Sequence, residues 1–434
     1  MKRFFIFGFV SALLAVNLVV GAWVYLTPAH AAERRDSEDA NLDLFQNVLE
    51  KVHSDYVDST NLTYRALVYS ALKGMVSDLD PHSEFLDTRD FQQLQDDTQG
   101  AFGGLGLVVG MKDGYITVIA PMEDTPGFRA GILSGDRIVK INGQSTDNTP
   151  LDDAVNQLRG KPGTSVTITI QRPSSGMEKA ITLERAIISM QMVRDINGQQ
   201  DYPLGPDKIG YIRITEFGDN TGKELQTALD KLNAQGMKAL ILDLRWNPGG
   251  LLDEAVNVSQ KFVPRGQLIV STEGRDSIEK YYAAGSGDEL NGAPIVVLVN
   301  VGTASAAEIV TGCLQDLHRA VVLGQRTFGK GLVQSIFPFN DGTALKLTTA
   351  KYYTPNRQVI EEHGITPDIY VPISDETEAA LLVKRSPGGL ESLPPRERAV
   401  VETVQDIQLE RAEDLLKSIL LYSQINQPEK MAAK

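Results

Sequence analysis

Two glycine-rich segments of this chain hold the residues best suited to nucleophilic chemistry. Gly302-Thr-Ala-Ser305-Ala-Ala-Glu308 stands upstream of Gly324-Gln-Arg-Thr-Phe-Gly-Lys330-Gly-Leu-Val-Gln334, with Ser305 25 residues before Lys330 and 29 before Gln334. A serine hydroxyl attacks a carbonyl only with a base in hydrogen-bond reach. Lys330 can serve if it is neutral, which is far from its reference pKa of about 10.4. Burial among Phe328, Leu332 and Val333 would disfavour the ammonium. An uncharged amide at Gln334 can orient that amine without restoring its charge. Ser305-x-x-Glu308 before an apolar-periodic helix is also a capping box, and the two roles are compatible, because a helix amino terminus favours developing negative charge. The oxyanion would need rigid backbone donors: Ala306 N–H beside the nucleophile, and Gly249 or Gly250 in Asn247-Pro-Gly-Gly250, a sequence that by itself reads only as a turn.

Other chemistry fits less well. Gly324-x-x-x-x-Gly329-Lys330 has the spacing of a phosphate-binding loop, but Gly331 replaces the serine or threonine that would hold magnesium, and a strand pattern follows where a helix should. Lys plus Arg count 42 against 56 Asp plus Glu, a formal charge of -14, which argues against a nucleic-acid footprint. The histidines show no metal-ligand spacing, so no metal and no cofactor are expected. Cys313, the single cysteine, falls on the apolar stripe of the helix predicted after Ser305 and reads as a buried structural thiol. It leaves no partner for an internal disulfide.

The elements that must position these groups follow in order. Residues 1–31 combine Lys2 and Arg3, an apolar run from Phe4 to Leu26 and an Ala29-His-Ala31 site, which marks a signal peptide or an uncleaved membrane anchor. Either places the rest of the chain outside the cytoplasm. Residues 32–99 carry helical periodicity and end in the turn Leu79-Asp-Pro-His-Ser83. Residues 100–186 change to short strands and tight turns, with Gly103-Gly-Leu-Gly-Leu107, Gly131-Ile-Leu-Ser-Gly-Asp136 and an Asn142-Gly143 hairpin signal. This block resembles a PDZ domain, whose glycine-bearing loop, here Gly104, Leu105, Gly106 and Leu107, would meet a peptide's terminal carboxylate while a strand edge pairs with the peptide. Residues 187–375 alternate apolar strands and amphipathic helices, with Asn247–Gly250 and Gly302–Ser305 beyond strand carboxyl ends, where α/β sheets gather their ligands. Residues 376–434 read as a linker, then one helical stretch over 396–425.

Taken in order, Leu79-Asp-Pro-His-Ser83, the PDZ block, Asp243-Leu-Arg-x-Asn-Pro-Gly-Gly250, Ser305-Ala-Ala-Glu308, Gly329-Lys-Gly-x-Val-Gln334 and Gly364-Ile-Thr-Pro-Asp368 resemble the carboxyl-terminal processing, or tail-specific, proteases from about Asn41 to Leu416. The resemblance implies a multidomain α/β protein: a core similar to the crotonase and Clp-protease spiral, with an inserted PDZ domain and helical terminal segments. It implies Ser305 as nucleophile, Lys330 as general base and Gln334 as its positioning group. Protein substrates with apolar tails are implied, drawn from envelope proteins in a bacterial periplasm or at the outer face of the inner membrane, and oligomers built through terminal helices. An adaptor protein stays open as a further partner. Trp246 and Gly127 depart from the family's common residues. The competing reading is a catalytically silent PDZ scaffold.

Overall fold

The computed structural model describes residues 15–17 and 37–425, apart from 59, 61, 123–124, 134, 174–175, 286, 386–389 and 391–392. The expected signal peptide or anchor lies outside the described residues, save 15–17. Among the described residues no helix is long and apolar enough to cross a membrane.

Helix α1 (Glu38–Asp55) starts at Ser37, whose Oγ accepts from Ala40 N–H, and α2 (Tyr64–Ser77) starts likewise at Thr63. No residue of α1 is buried, and Leu42, Phe45 and Val48 remain exposed. The turn at Leu79–Ser83 is made by Asp80, whose Oδ1 accepts the N–H groups of His82 at 2.7 Å and Ser83 at 2.8 Å. This is the local competition with regular structure that aspartate offers a chain. Strand β1 (Glu84–Leu86) and α3 (Thr88–Gln99) follow, and Gly100 ends α3 at φ 62°.

The next block contains β2 (Ala101–Gly104), β3 (Leu107–Lys112), β4 (Tyr115–Pro121), the single turn α4 (Pro126–Arg129), β5 (Arg137–Ile141), β6 (Gln144–Ser145), α5 (Leu151–Leu158), β7 (Ser165–Arg172), β8 (Met177–Glu184) and β9 (Ala186–Ser189). The sheet runs β3-β4-β5-β7-β8, antiparallel throughout. Val166, Ile168 and Ile170 alternate inward from β7 onto Ile116, Val118 and Ile138. Strand β3 lies at the edge of the sheet with α5 beside it.

The core continues with β10 (Val193–Arg194), β11 (Ile209–Ile214), α6 (Thr221–Ala234), β12 (Ala239–Asp243), α7 (Leu252–Ser259), β13 (Leu268–Gly274), β14 (Ile278–Tyr282), β15 (Ile295–Val299), α8 (Ala306–Asp316), β16 (Val321–Gly324), β17 (Leu332–Pro338), β18 (Ala344–Tyr353), β19 (Ile369–Tyr370), α9 (Asp375–Arg385), α10 (Pro395–Thr403) and α11 (Ile407–Ile425). Strands β11, β12, β15, β16 and β19 are parallel neighbours in that order, and β10 is an antiparallel edge. Both central strands, β12 and β15, are buried along their whole length, as a sheet covered on both faces requires. Leu240, Leu242, Val297 and Val299 meet α6, α7 and α8, while Ala239, Ile241, Val296 and Leu298 turn the other way onto Ala412 and Leu416 of α11. A second sheet, β1-β18-β13-β14 with β17 on β18, carries the lysine segment.

The tail differs from expectation. The single stretch over 396–425 is two helices, α10 and α11. Asp406 breaks it, because its carboxylate caps Leu409 N–H at 3.1 Å and binds Arg245 of the core. Helix α9 occupies what the sequence suggested was the approach to a linker. One face of α11 covers the central sheet of its own chain.

Candidate active site

Three loops meet at the carboxyl ends of β12, β15 and β16. Ala304 N–H donates to Asn247 O at 2.9 Å, and Phe328 N–H to Thr303 O at 3.0 Å, so each loop is pinned to the next. Ser305 opens α8 at φ 54° and ψ -117°, a positive φ that costs a non-glycine residue of order 1–3 kcal/mol and persists only where its surroundings over-determine it.

Glu308 supplies much of that determination. It is fully buried, and its carboxylate accepts from Ser305 N–H at 2.9 Å, Lys330 N–H at 2.9 Å, Gly329 N–H at 2.8 Å and the Thr327 hydroxyl at 2.5 Å. Burial pushes its pKa up against those donors. The capping box foreseen at Ser305–Glu308 is present, and the same carboxylate also grips the lysine loop. Only the first of these tasks was legible in the Ser-x-x-Glu pattern.

Lys330 is half-buried, and desolvation, then the charge of Lys346, hold its ammonium below the ordinary lysine range, while Glu361 and Asp80 pull the other way. Among the described residues no hydrogen bond joins its Nζ to Ser305 Oγ or to Gln334. Instead, the Gln334 amide donates to Thr348 Oγ1 at 3.3 Å, after a register shift at Val333/Gln334 that leaves Thr349 of β18 unpaired. The expectation that Gln334 positions Lys330 is therefore not met by a direct contact in this conformation. Tyr352, which the sequence did not single out, is buried beside the Ser305 side chain and donates its phenol to Lys330 O. Asp80 and His82 also face Lys330, and burial followed by the Lys330 charge lowers the His82 pKa. Ser83 Oγ bonds Asp80 Oδ2 at 2.7 Å and accepts Thr348 N–H at 3.0 Å, which fixes this turn to β18. The motif Leu79–Ser83 was the available signal.

Of the oxyanion candidates, Gly249 N–H is taken by Asn247 Oδ1 at 2.8 Å. Among the described residues the N–H groups of Ala306 and Gly250 have no acceptor. Gly249 has φ 107°, and a Cβ there would lie 2.7 Å from Ser305 Cβ and 3.0 Å from Ala306 N, so only glycine lets this backbone close on Ser305. Cys313 is buried in α8, and burial pushes its thiol up to about 12, as fits a structural residue.

In the smaller domain, the carbonyls of Gly103, Leu105 and Gly106 accept from Gly160, Gly127 and Met122. The N–H groups of Leu105 and Gly106 have no acceptor among the described residues. Gly104 belongs to β2, Leu105 is buried, and Leu107 starts β3. At Gly127 a Cβ would press on Leu107 at 2.4 Å, so this glycine makes room for the loop.

The sequence is matched by known proteins. Residues 208–371 match the model of peptidase family S41, and residues 117–172 match a PDZ domain. The carboxy-terminal-processing protease of Bartonella bacilliformis is 40% identical over 376 residues, covering 86% of this chain and 83% of that one. The chain belongs to peptidase family S41. It is a serine peptidase, a carboxy-terminal-processing protease with a PDZ domain. A probable CtpA-like serine protease of Staphylococcus aureus is 37% identical over 84% of this S41 peptidase and 72% of its own length. The photosystem II D1 C-terminal processing protease shares 30% identity over 80% of the chain and 97% of that structure, at a TM-score of 0.44.

Proposed function

We propose that this S41 peptidase is an exported endopeptidase that takes protein tails on its PDZ domain and cuts them through a Ser305 acyl-enzyme. The observation that carries the mechanism is the Glu308 carboxylate, which holds the nucleophile's and the base's backbones together, with Ser305 at the head of a buried helix. Neutral Lys330 takes the Ser305 proton as Oγ attacks the scissile carbonyl, and returns it to the leaving amine. The oxyanion rests on the N–H groups of Ala306 and Gly250. Water, deprotonated by Lys330, then releases the acyl group. No hydrogen bond joins Lys330 Nζ to Ser305 Oγ among the described residues, so in this reading substrate completes the pair, and the PDZ domain is the element that would sense substrate. Its β3 edge and the N–H groups of Leu105 and Gly106, which have no acceptor among the described residues, suit a chain end arriving as an added strand. The parallel sheet fits the crotonase-like spiral implied by the sequence, and the amino-terminal Lys2-Arg3 and apolar run favour the periplasm or the outer face of the inner membrane.

The test is degradation of an unstructured protein with an apolar tail, beside an amidated-tail copy, by wild type, Ser305→Ala and Lys330→Ala. Both variants should lose cleavage, by roughly 10⁴-fold or more, and the amide should weaken it. Tail binding without cleavage in wild type would instead support a silent scaffold.

A further inference from the structure

The oxyanion loop has a second set of supports that no step of acyl transfer uses. Arg245 and Trp246 stand immediately before Asn247-Pro-Gly-Gly250, and both are held by residues beyond the peptidase core. The buried Arg245 guanidinium binds Asp243 at its own strand end, with Nε 2.9 Å from Oδ1, and reaches Asp406 ahead of α11, with Nη1 2.8 Å from Oδ1. Gln408 Oε1 accepts from the same Nη1 at 3.1 Å. Arg385, the last residue of α9, bonds the other oxygen of Asp406. Burial opposes ionisation of Asp406, and the two guanidiniums outweigh it, holding the carboxyl below its usual range.

Trp246 makes the second connection. Its φ is 59°, its ring lies against Gly302 where a Cβ would come within 2.3 Å of it, and its indole N–H donates to Glu378 Oε1 on α9. The same oxygen accepts from Asn300 Nδ2 at 3.1 Å. Asn300 Oδ1 in turn accepts Trp246 N–H at 2.9 Å and Gly302 N–H at 3.1 Å. One buried carboxylate from α9 thus ties the loop of Gly250 to the loop of Ser305.

We infer that the carboxyl-terminal segment, through Glu378 and Asp406, is a positioning element of the peptidase site that sets Gly250 opposite Ser305. The inference rests on the oxyanion assignment above. A positive-φ tryptophan holds its place only while its contacts persist, and an arginine buried without its carboxylate is strongly destabilised. Since a displacement of about 1 Å can cost 100-fold in rate, loosening either contact acts on catalysis. Neither contact lies in the PDZ domain, so tail capture is left intact.

The full chain is compared with Glu378→Ala, Glu378→Gln, Trp246→Phe and Asp406→Asn on an unstructured protein with an apolar tail, with tail-peptide affinity and folded fraction measured alongside. Glu378→Ala should lower kcat per folded enzyme about tenfold or more, with KM and tail affinity within about twofold. Trp246→Phe, which keeps the ring and loses the N–H donor, should show a smaller fall of the same kind. Glu378→Gln, which keeps the acceptor oxygen, should recover most of the rate, and Asp406→Asn should resemble Glu378→Ala. Wild-type kcat per folded enzyme in Glu378→Ala and Trp246→Phe overturns the inference, as does a loss that follows only the folded fraction. A wild-type protein that never cleaves overturns the site assignment and this inference together, whereas cleaving wild type with unaffected variants overturns this inference alone.

Discussion

Ser305 and Lys330 are the proposed partners in one reaction, yet their surroundings differ in kind. Ser305 opens a helix of which only Gln315 escapes burial, with hydrogen-bonded loops on either side. Lys330 precedes a strand in which no residue is buried and whose register slips by one at Val333/Gln334. Ser305 is built into the core, whereas Lys330 rides on an element that can shift its side chain at little cost, because few packed neighbours must move with it. A peptidase that stays quiet until a substrate arrives can be made this way, with a fixed serine and a movable amine, and Glu308 keeps the two in range of each other.

The contrast can be broken most severely at Glu308. Glu308→Ala removes the acceptor for four donors, so cleavage should fall on the order of 10² to 10³-fold and the thermal midpoint should drop, since buried N–H groups are left unpaired. A kinetic assay with a melting curve on the same preparation checks both, and near-native activity would deny the carboxylate its role. Gly249→Ala strikes only the rigid side. Its Cβ would collide with Ser305 Cβ, and kcat should fall by roughly 10²-fold while tail-peptide affinity stays constant. Gln334→Ala probes the movable side and should cost less than about tenfold if the amide serves Thr348 as found. A loss beyond about 100-fold would mean that Gln334 swings onto Lys330 in the working enzyme.

The smallest effect sharpens the comparison through pH. Lys330 has a folded-state pKa below its ordinary value, so between the two the unfolded chain holds the proton and the folded chain does not. Stability therefore climbs with pH across that window, up to about 10.4, and below it the half-buried ammonium is a cost. Lys330→Met should raise the thermal midpoint at neutral pH and flatten its rise toward alkaline pH. Wild-type cleavage should grow with pH along a limb set by the same depressed value. A thermal midpoint that Lys330→Met lowers at neutral pH would show that the ammonium is stabilised in place.

The order of domains and the loops carrying Ser305, Lys330 and Gly249 were legible in the sequence because they depend on local signals: apolar runs, glycine turns and a Ser-x-x-Glu helix start. What the sequence hid is contact across distance. Tyr352 and the Asp80-Pro-His82-Ser83 turn reach Lys330 only because β18 folds back along β17 and β1. The pairing of Asp406 with Arg245 spans 161 residues, and no periodicity announces it, so the tail looked like one continuous helix. Gln334 was read as a partner of Lys330 from its uncharged amide and from the family resemblance, whereas in the fold, beside a one-residue register shift between β17 and β18, it bonds Thr348.

The open edge of β3 has a consequence for what this peptidase can be asked to destroy. A tail that joins a sheet contributes its main chain first, so it must already have given up its own helix or strand. Selection then depends less on which residues end a protein than on how readily that end frays, and a well-folded neighbour with the same last residues would go untouched. Such a reader measures the local stability of chain ends, and damaged or unassembled proteins present themselves by coming loose.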